Sequence, residues 1–165
     1  MIKGQDIVVL AALMGGGSSD ASYAALAERA KLSVSETHAA VRRLQGVSLV
    51  DDARRVRRRN ALEFLVHGLR YLFPPELHGG LERGIPAAYA APVAADEFAV
   101  SGDIPVWRSD EGAAFGHVLT PVYPSVPAAA VNDRELYDRL ALIDMLRGGR
   151  ARERAFAESR LKEIV

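Results

Sequence analysis

The stretch Ser33-Val34-Ser35-Glu36 constrains this chain more than any other, because it reads as a capping box and so as the start of a helix. In that arrangement the serine hydroxyl satisfies a backbone N–H three residues on, and the glutamate carboxylate returns to the serine N–H. The helix that follows places Val34, Thr37, Val41 and Leu44 on one face. Ser35, His38, Ala39 and Arg42 lie on the other with Arg43 at its edge, and Gly46 ends the helix. A shorter helix fits Tyr23 to Ala30, with Ser22 as its N-cap. Ahead of it, Ile7, Leu10, Ala11 and Met14 recur at helical spacing and stop at the turn-forming run Gly15 to Ser19. No Lys-Ser or Lys-Thr pair follows those glycines, so they are not a phosphate loop.

Beyond Gly46, Val47 to Val50 reads as a short strand, Asp51-Asp52-Ala53 as a turn, and Arg54 to Arg58 as a returning basic strand or loop. Asn60 then heads a capping-box-like start, and Leu62, Leu65, Val66, Leu69 and Phe73 form a helical stripe that Pro74-Pro75 ends.

Charge separates the regions. The formal net charge is +0, yet residues 1–73 hold 11 basic and 7 acidic side chains, residues 74–131 hold 2 and 7, and residues 132–165 hold 8 and 7. From Arg42 to Arg59 there are seven arginines against Asp51 and Asp52, a local cationic footprint that suits nucleic-acid phosphates. In an arbitrary protein such a cluster is a solvated surface. Directly after paired short helices it sits where a cationic hairpin meets a phosphate backbone.

The run SYAALAERAKLSVSETHAAVRRLQGVSLVDD resembles the helix-turn-helix and wing entry of bacterial winged-helix regulators of the MarR type and their relatives. The likeness covers about residues 5–73. The wing is short and the long flanking dimerisation helices of MarR proteins are missing, so the ligand sites of that family do not carry over. The resemblance implies sequence-specific binding of double-stranded DNA by a homodimer, with no catalytic activity. The helix from Val34 enters the major groove through Ser33, Ser35, Glu36, His38, Ala39, Arg42 and Arg43, while Arg54, Arg55, Arg57 and Arg58 of the wing grip the backbone. A surface histidine without a role is nearly as good a reading of His38.

Residues 76–131 are rich in Gly, Pro and Ala and show little periodicity. Val106-Trp107-Arg108, a turn at Ser109 to Gly112, and Phe115 to Leu119 are read as a hairpin. The acidic balance of this segment motivates an alternative function, a protein-interaction module such as an antitoxin-like or adaptor subunit. A weaker third reading is a ligand-responsive sensor that uses Tyr89, Phe98, Trp107 and Tyr123, although core packing accounts for aromatics more simply. Asp103, Asp110, Glu111 and His117 have no spacing that requires acid–base chemistry. Order returns with a capping box at Asn132 to Glu135 and the stripe Leu136, Leu140, Ile143 and either Leu146 or Arg147. Gly148-Gly149 breaks that helix, and a charged helix runs from about Arg150 to Ile164.

The expected architecture is mainly α with a small β component. It comprises a winged helix-turn-helix at 1–75, an irregular or hairpin segment at 76–131, and a helical hairpin at 132–165. No cysteine is present, and His38, His67, His78 and His117 lack metal-ligand spacing, so neither a metal nor another cofactor is expected. The apolar run Ile7 to Met14 is too short to cross a bilayer and a poor fit to a signal peptide, which favours a cytoplasmic protein without membrane contact.

Overall fold

The computed structural model describes residues 1–15 and 18–165 of a mixed α/β chain that is 55% helical. The glycine turn expected from Gly15 to Ser19 falls partly on Gly16 and Gly17, outside the described residues.

Helix α1 (Gly4–Leu13) is apolar on every side, and all its residues from Asp6 onward are buried. A helix without a polar face has to lie at the centre of a fold, and α1 does so. Carbonyls of its last turn accept from two arginines, and Ala11 O also accepts from the Met14 N–H (3.4 Å). Arg29 Nη1 donates to Ala12 O (2.8 Å) and Arg139 Nη1 to Ala11 O (3.2 Å). Gly15 lies so close to the Arg139 guanidinium that a Cβ there would come within 2.6 Å of Nη2.

Helix α2 (Tyr23–Ala30) starts as expected, with Ser22 Oγ accepting from Ala25 N–H, and ends with Lys31 in the left-handed conformation. Leu32 and Ser33 complete the turn into α3 (Val34–Gly46), where both halves of the capping box form. The buried face of α3 is Thr37, Ala40, Val41 and Leu44. Val34, expected inward, is half exposed, because packing begins a turn later at Thr37.

The strand expected at Val47 to Val50 shrinks to one antiparallel bridge, Val50 with Val56. A tight turn joins the two: Arg54 N–H donates to Asp51 O and Asp51 N–H to Arg55 O, each at 2.9 Å. The next helix starts before Asn60, at Arg58. It runs as α4 (Arg58–Glu63), a π-helical turn (Phe64–Gly68) and α5 (Leu69–Leu72). Asn60 is not its cap; the side chain donates to Ser48 O at 2.8 Å and ties the helix to the loop before the bridge.

The middle segment is more ordered than its composition suggests. Strand β1 (Leu77–Pro86) pairs antiparallel with both β2 (Ile104–Arg108) and β3 (Ala114–Leu119), and β2 pairs parallel with β3, which closes a three-stranded ring. The expected hairpin between β2 and β3 is therefore corrected. Its turn forms, with Gly112 N–H donating to Ser109 O (3.2 Å), but Arg108 and Ala114 end on opposite edges of β1, both paired with Gly84. So tight a ring leaves little room inside. A Cβ on Gly84 would collide with Trp107 O, and one on Gly116 with Ile104 O.

Helix α7 (Arg134–Gly148), preceded by the short α6 (Val126–Val131), is the second central element. The residue that caps it is Asp133 rather than Asn132; its Oδ1 accepts from Leu136 N–H at 3.0 Å. Burial raises the Asp133 carboxyl, but hydrogen bonds from Arg29 and Leu136 and the charges of Arg29 and Arg139 bring it below the usual range. Beyond the expected stripe, everything from Arg139 to Arg147 is buried, including Asp144. Helix α8 (Ala151–Ile164) packs back through Ala157 and Leu161. One buried cluster runs from Ile7 of α1 through Trp107 of β2 to Leu161 of α8, so all three sequence segments share a core.

Candidate nucleic-acid interface

Positions 35, 38, 39 and 42 fall within about a third of the helical circumference of α3. Ser35, His38 and Arg42 are exposed there and Ala39 is partly covered. The start of α2 and the 51–55 turn adjoin this face. The His38 and Tyr23 rings lie 4.9 Å apart with planes at 47°, and the Arg54 guanidinium sits 4.7 Å above the Tyr23 ring. This is a continuous stack from the basic turn to the outer face of α3.

Arg54 occupies a position where arginine is costly. Its φ is 63°, in the left-handed region that glycine or asparagine normally fills. A type I turn followed by a left-handed residue is a standard three-residue hairpin loop, with glycine the usual choice for the last place. The side chain offsets a penalty of roughly 1 kcal/mol through its contact with Tyr23. Tyr23 is the functional candidate that sequence reading missed. Nothing about a tyrosine at the first position of an eight-residue helix points to it; only the turn geometry brings Arg54 over the ring.

The other expected residues divide. Ser33 and Glu36 are occupied in the cap: Ser33 N–H donates to Glu36 Oε2 (3.0 Å), Ser33 Oγ to the same oxygen (2.7 Å), and Glu36 N–H to Ser33 Oγ (3.2 Å). The Ser33 contacts hold the Glu36 carboxyl below its usual range, and Tyr123 Oη donates to its other oxygen at 3.4 Å. These two residues shape the helix end rather than present a free reading group.

Arg43 turns inward, contrary to expectation. Its Nε and Nη2 donate to Asp6 Oδ2 (2.8 Å) and Oδ1 (2.7 Å), and Asp6 is fully buried in the first turn of α1. The hydrogen bonds to Asp6 raise Arg43 further above its already high ordinary value. Arg58 is also spoken for: it donates to the carbonyls of Lys162 and Val165 and so caps the end of α8. Arg55 pairs with Asp51 at 2.9 Å, on the surface.

Among the described residues, Arg42, Arg54, Arg57 and Arg59 of the basic run have no carboxylate within ion-pair distance. Arg42, Arg57 and Arg59 are exposed, whereas Arg54 is half-buried against Tyr23, its Nη1 covered and without a hydrogen-bond partner. The acidic middle segment is partly neutralised within the chain, through Glu82 with Arg108 and Glu97 with Arg152, and Asp103 Oδ2 lies 3.2 Å from His117 Nε2. No group of residues that could hold a metal ion occurs among the described residues, and no helix there is long and apolar enough to cross a membrane. Trp107 is fully buried, its Nε1 donating to Asp144 at 2.6 Å.

The chain matches no protein-family model, no curated protein and no solved structure.

Proposed function

We propose that this chain is a DNA-binding transcriptional regulator of the winged helix-turn-helix kind, with α3 as the recognition helix and the 51–55 turn as a minimal wing. The observation that carries the reading is the Arg54–Tyr23–His38 stack, which joins the basic turn to the exposed face of α3. In this reading Ser35 and Ala39 allow close approach to base edges, because small side chains let a helix sit deep in the major groove. Arg42 reaches a guanine or a phosphate, and Arg54, Arg57 and Arg59 contact the flanking backbone. Two copies on a twofold operator are the arrangement that such helices commonly use.

Selection from a pool of random duplexes tests this directly. The expected result is enrichment of one sequence family by the native chain. Arg42→Ala then binds the enriched duplex about tenfold or more weakly, the loss of one good base or phosphate contact. A pool that remains unenriched, or an Arg42→Ala chain that binds like the native one, overturns the proposal.

A further inference from the structure

A cleft lies between the strand ring and the junction of α7 with α8. Its inner chamber of about 170 Å³ is walled by Pro75, Leu77, Ala88, Pro105 and Leu119, with Tyr89 at one side. A second chamber of about 500 Å³ shares Leu77, Tyr89, Pro105, Gly148 and Glu153 with the first, so the two adjoin across a common wall. The Gly148-Gly149 break shapes it. Gly148 backs so closely onto Pro75 that a side chain there would collide with the ring, and Gly149 adds no side chain of its own.

The chemistry is graded from one chamber to the other. The inner one has the size of an apolar cavity that accepts a single aromatic ring. Its carboxylates are Glu153 and Asp144, and the latter is already satisfied by Arg147 Nη1 (2.5 Å) and Trp107 Nε1 (2.6 Å). The outer chamber carries Asp103, Glu153, His117 and Arg150. Asp103 Oδ2 faces His117 at 3.2 Å and Glu153 Oε2 accepts from Arg150 N–H at 2.8 Å. One oxygen of each carboxylate therefore remains without a partner among the described residues. Two carboxylates with free oxygens face one exposed arginine. That balance favours a cation at the mouth and repels a carboxylate ligand.

We infer that this cleft binds a small amphipathic amine, with its ring or short hydrocarbon in the inner chamber and its ammonium group between Asp103 and Glu153. The site stands apart from α3 and the basic turn, so it does not depend on the DNA-binding proposal.

Calorimetric titration of the full chain with 2-phenylethylamine, 2-phenylethanol and phenylacetate tests it, since the three share a ring and differ in charge. The expected order of affinity is amine, then alcohol, then acid. Asp103→Asn and Glu153→Gln each weaken the amine by up to about fivefold, the range for partly exposed ion pairs, and leave the alcohol unchanged. Asp103 is mostly exposed, so its substitution preserves the fold, and an unchanged circular dichroism spectrum verifies that for both variants. Absence of saturable binding by the amine, any other order among the three, or an amine affinity that neither substitution changes overturns the inference.

Discussion

Asp144→Ala is expected to destabilise the protein by about 3–5 kcal/mol, the range for stripping one partner from a buried ion pair. Asp144 and Arg147 are both almost fully buried, and the carboxylate also accepts from Trp107. Burial pushes the Asp144 carboxyl above its usual range, against the opposing pull of Arg147 and Trp107. Removing it leaves a guanidinium without a counter-charge and an indole N–H without an acceptor. Arg147 further donates to Phe73 O (2.9 Å) at the end of α5 and to Thr120 O (3.3 Å) just past β3, so the damage reaches both flanks of α7. Asp144→Asn retains an acceptor for Trp107 and loses less. Urea denaturation followed by Trp107 fluorescence reads both, since this is the chain's single tryptophan. The expected order of midpoints is native, Asn, Ala; equal midpoints for native and Ala contradict this account of α7.

Arg43→Ala is expected to cost about 3 kcal/mol, the lower end of the same range, because the arginine side chain is 24% exposed while Asp6 is fully buried. Asp6 would keep the Lys3 N–H at 2.8 Å but no cation. The neighbouring Arg42→Ala touches no partner and should stay within about 0.5 kcal/mol of native stability. Thermal or urea unfolding of the two variants side by side thus separates an arginine that holds α3 onto α1 from one that is free. Comparable losses for both contradict the assignment.

The contrast between these adjacent arginines shows where sequence was informative and where it was not. Capping signals are local, so Ser22, Ser33 and Glu36 announced their helices, and the Gly148-Gly149 break was equally plain. Arg43 was not legible, because its partner Asp6 lies 37 residues away on another helix and nothing local to α3 marks the pairing. The strand ring was hidden for a related reason. The glycines that let it close, Gly84 and Gly116, resemble loop residues, and β1 is so exposed over its first seven residues that no alternation marks it. Arg54 was named from charge alone; its place over Tyr23 follows from a left-handed turn residue that composition cannot disclose.

The salt dependence of duplex binding tests the central claim most directly. If the four unpaired arginines at 42, 54, 57 and 59 neutralise phosphates, log K falls with log salt at a slope of about −3.6 per subunit. Combining Arg42→Ala, Arg54→Gly and Arg57→Ala, with glycine chosen to suit the left-handed turn, should bring the slope to about −0.9 per subunit. A triple variant with the native slope, or a native chain without salt-sensitive binding, contradicts the placement of α3 and the basic turn against DNA.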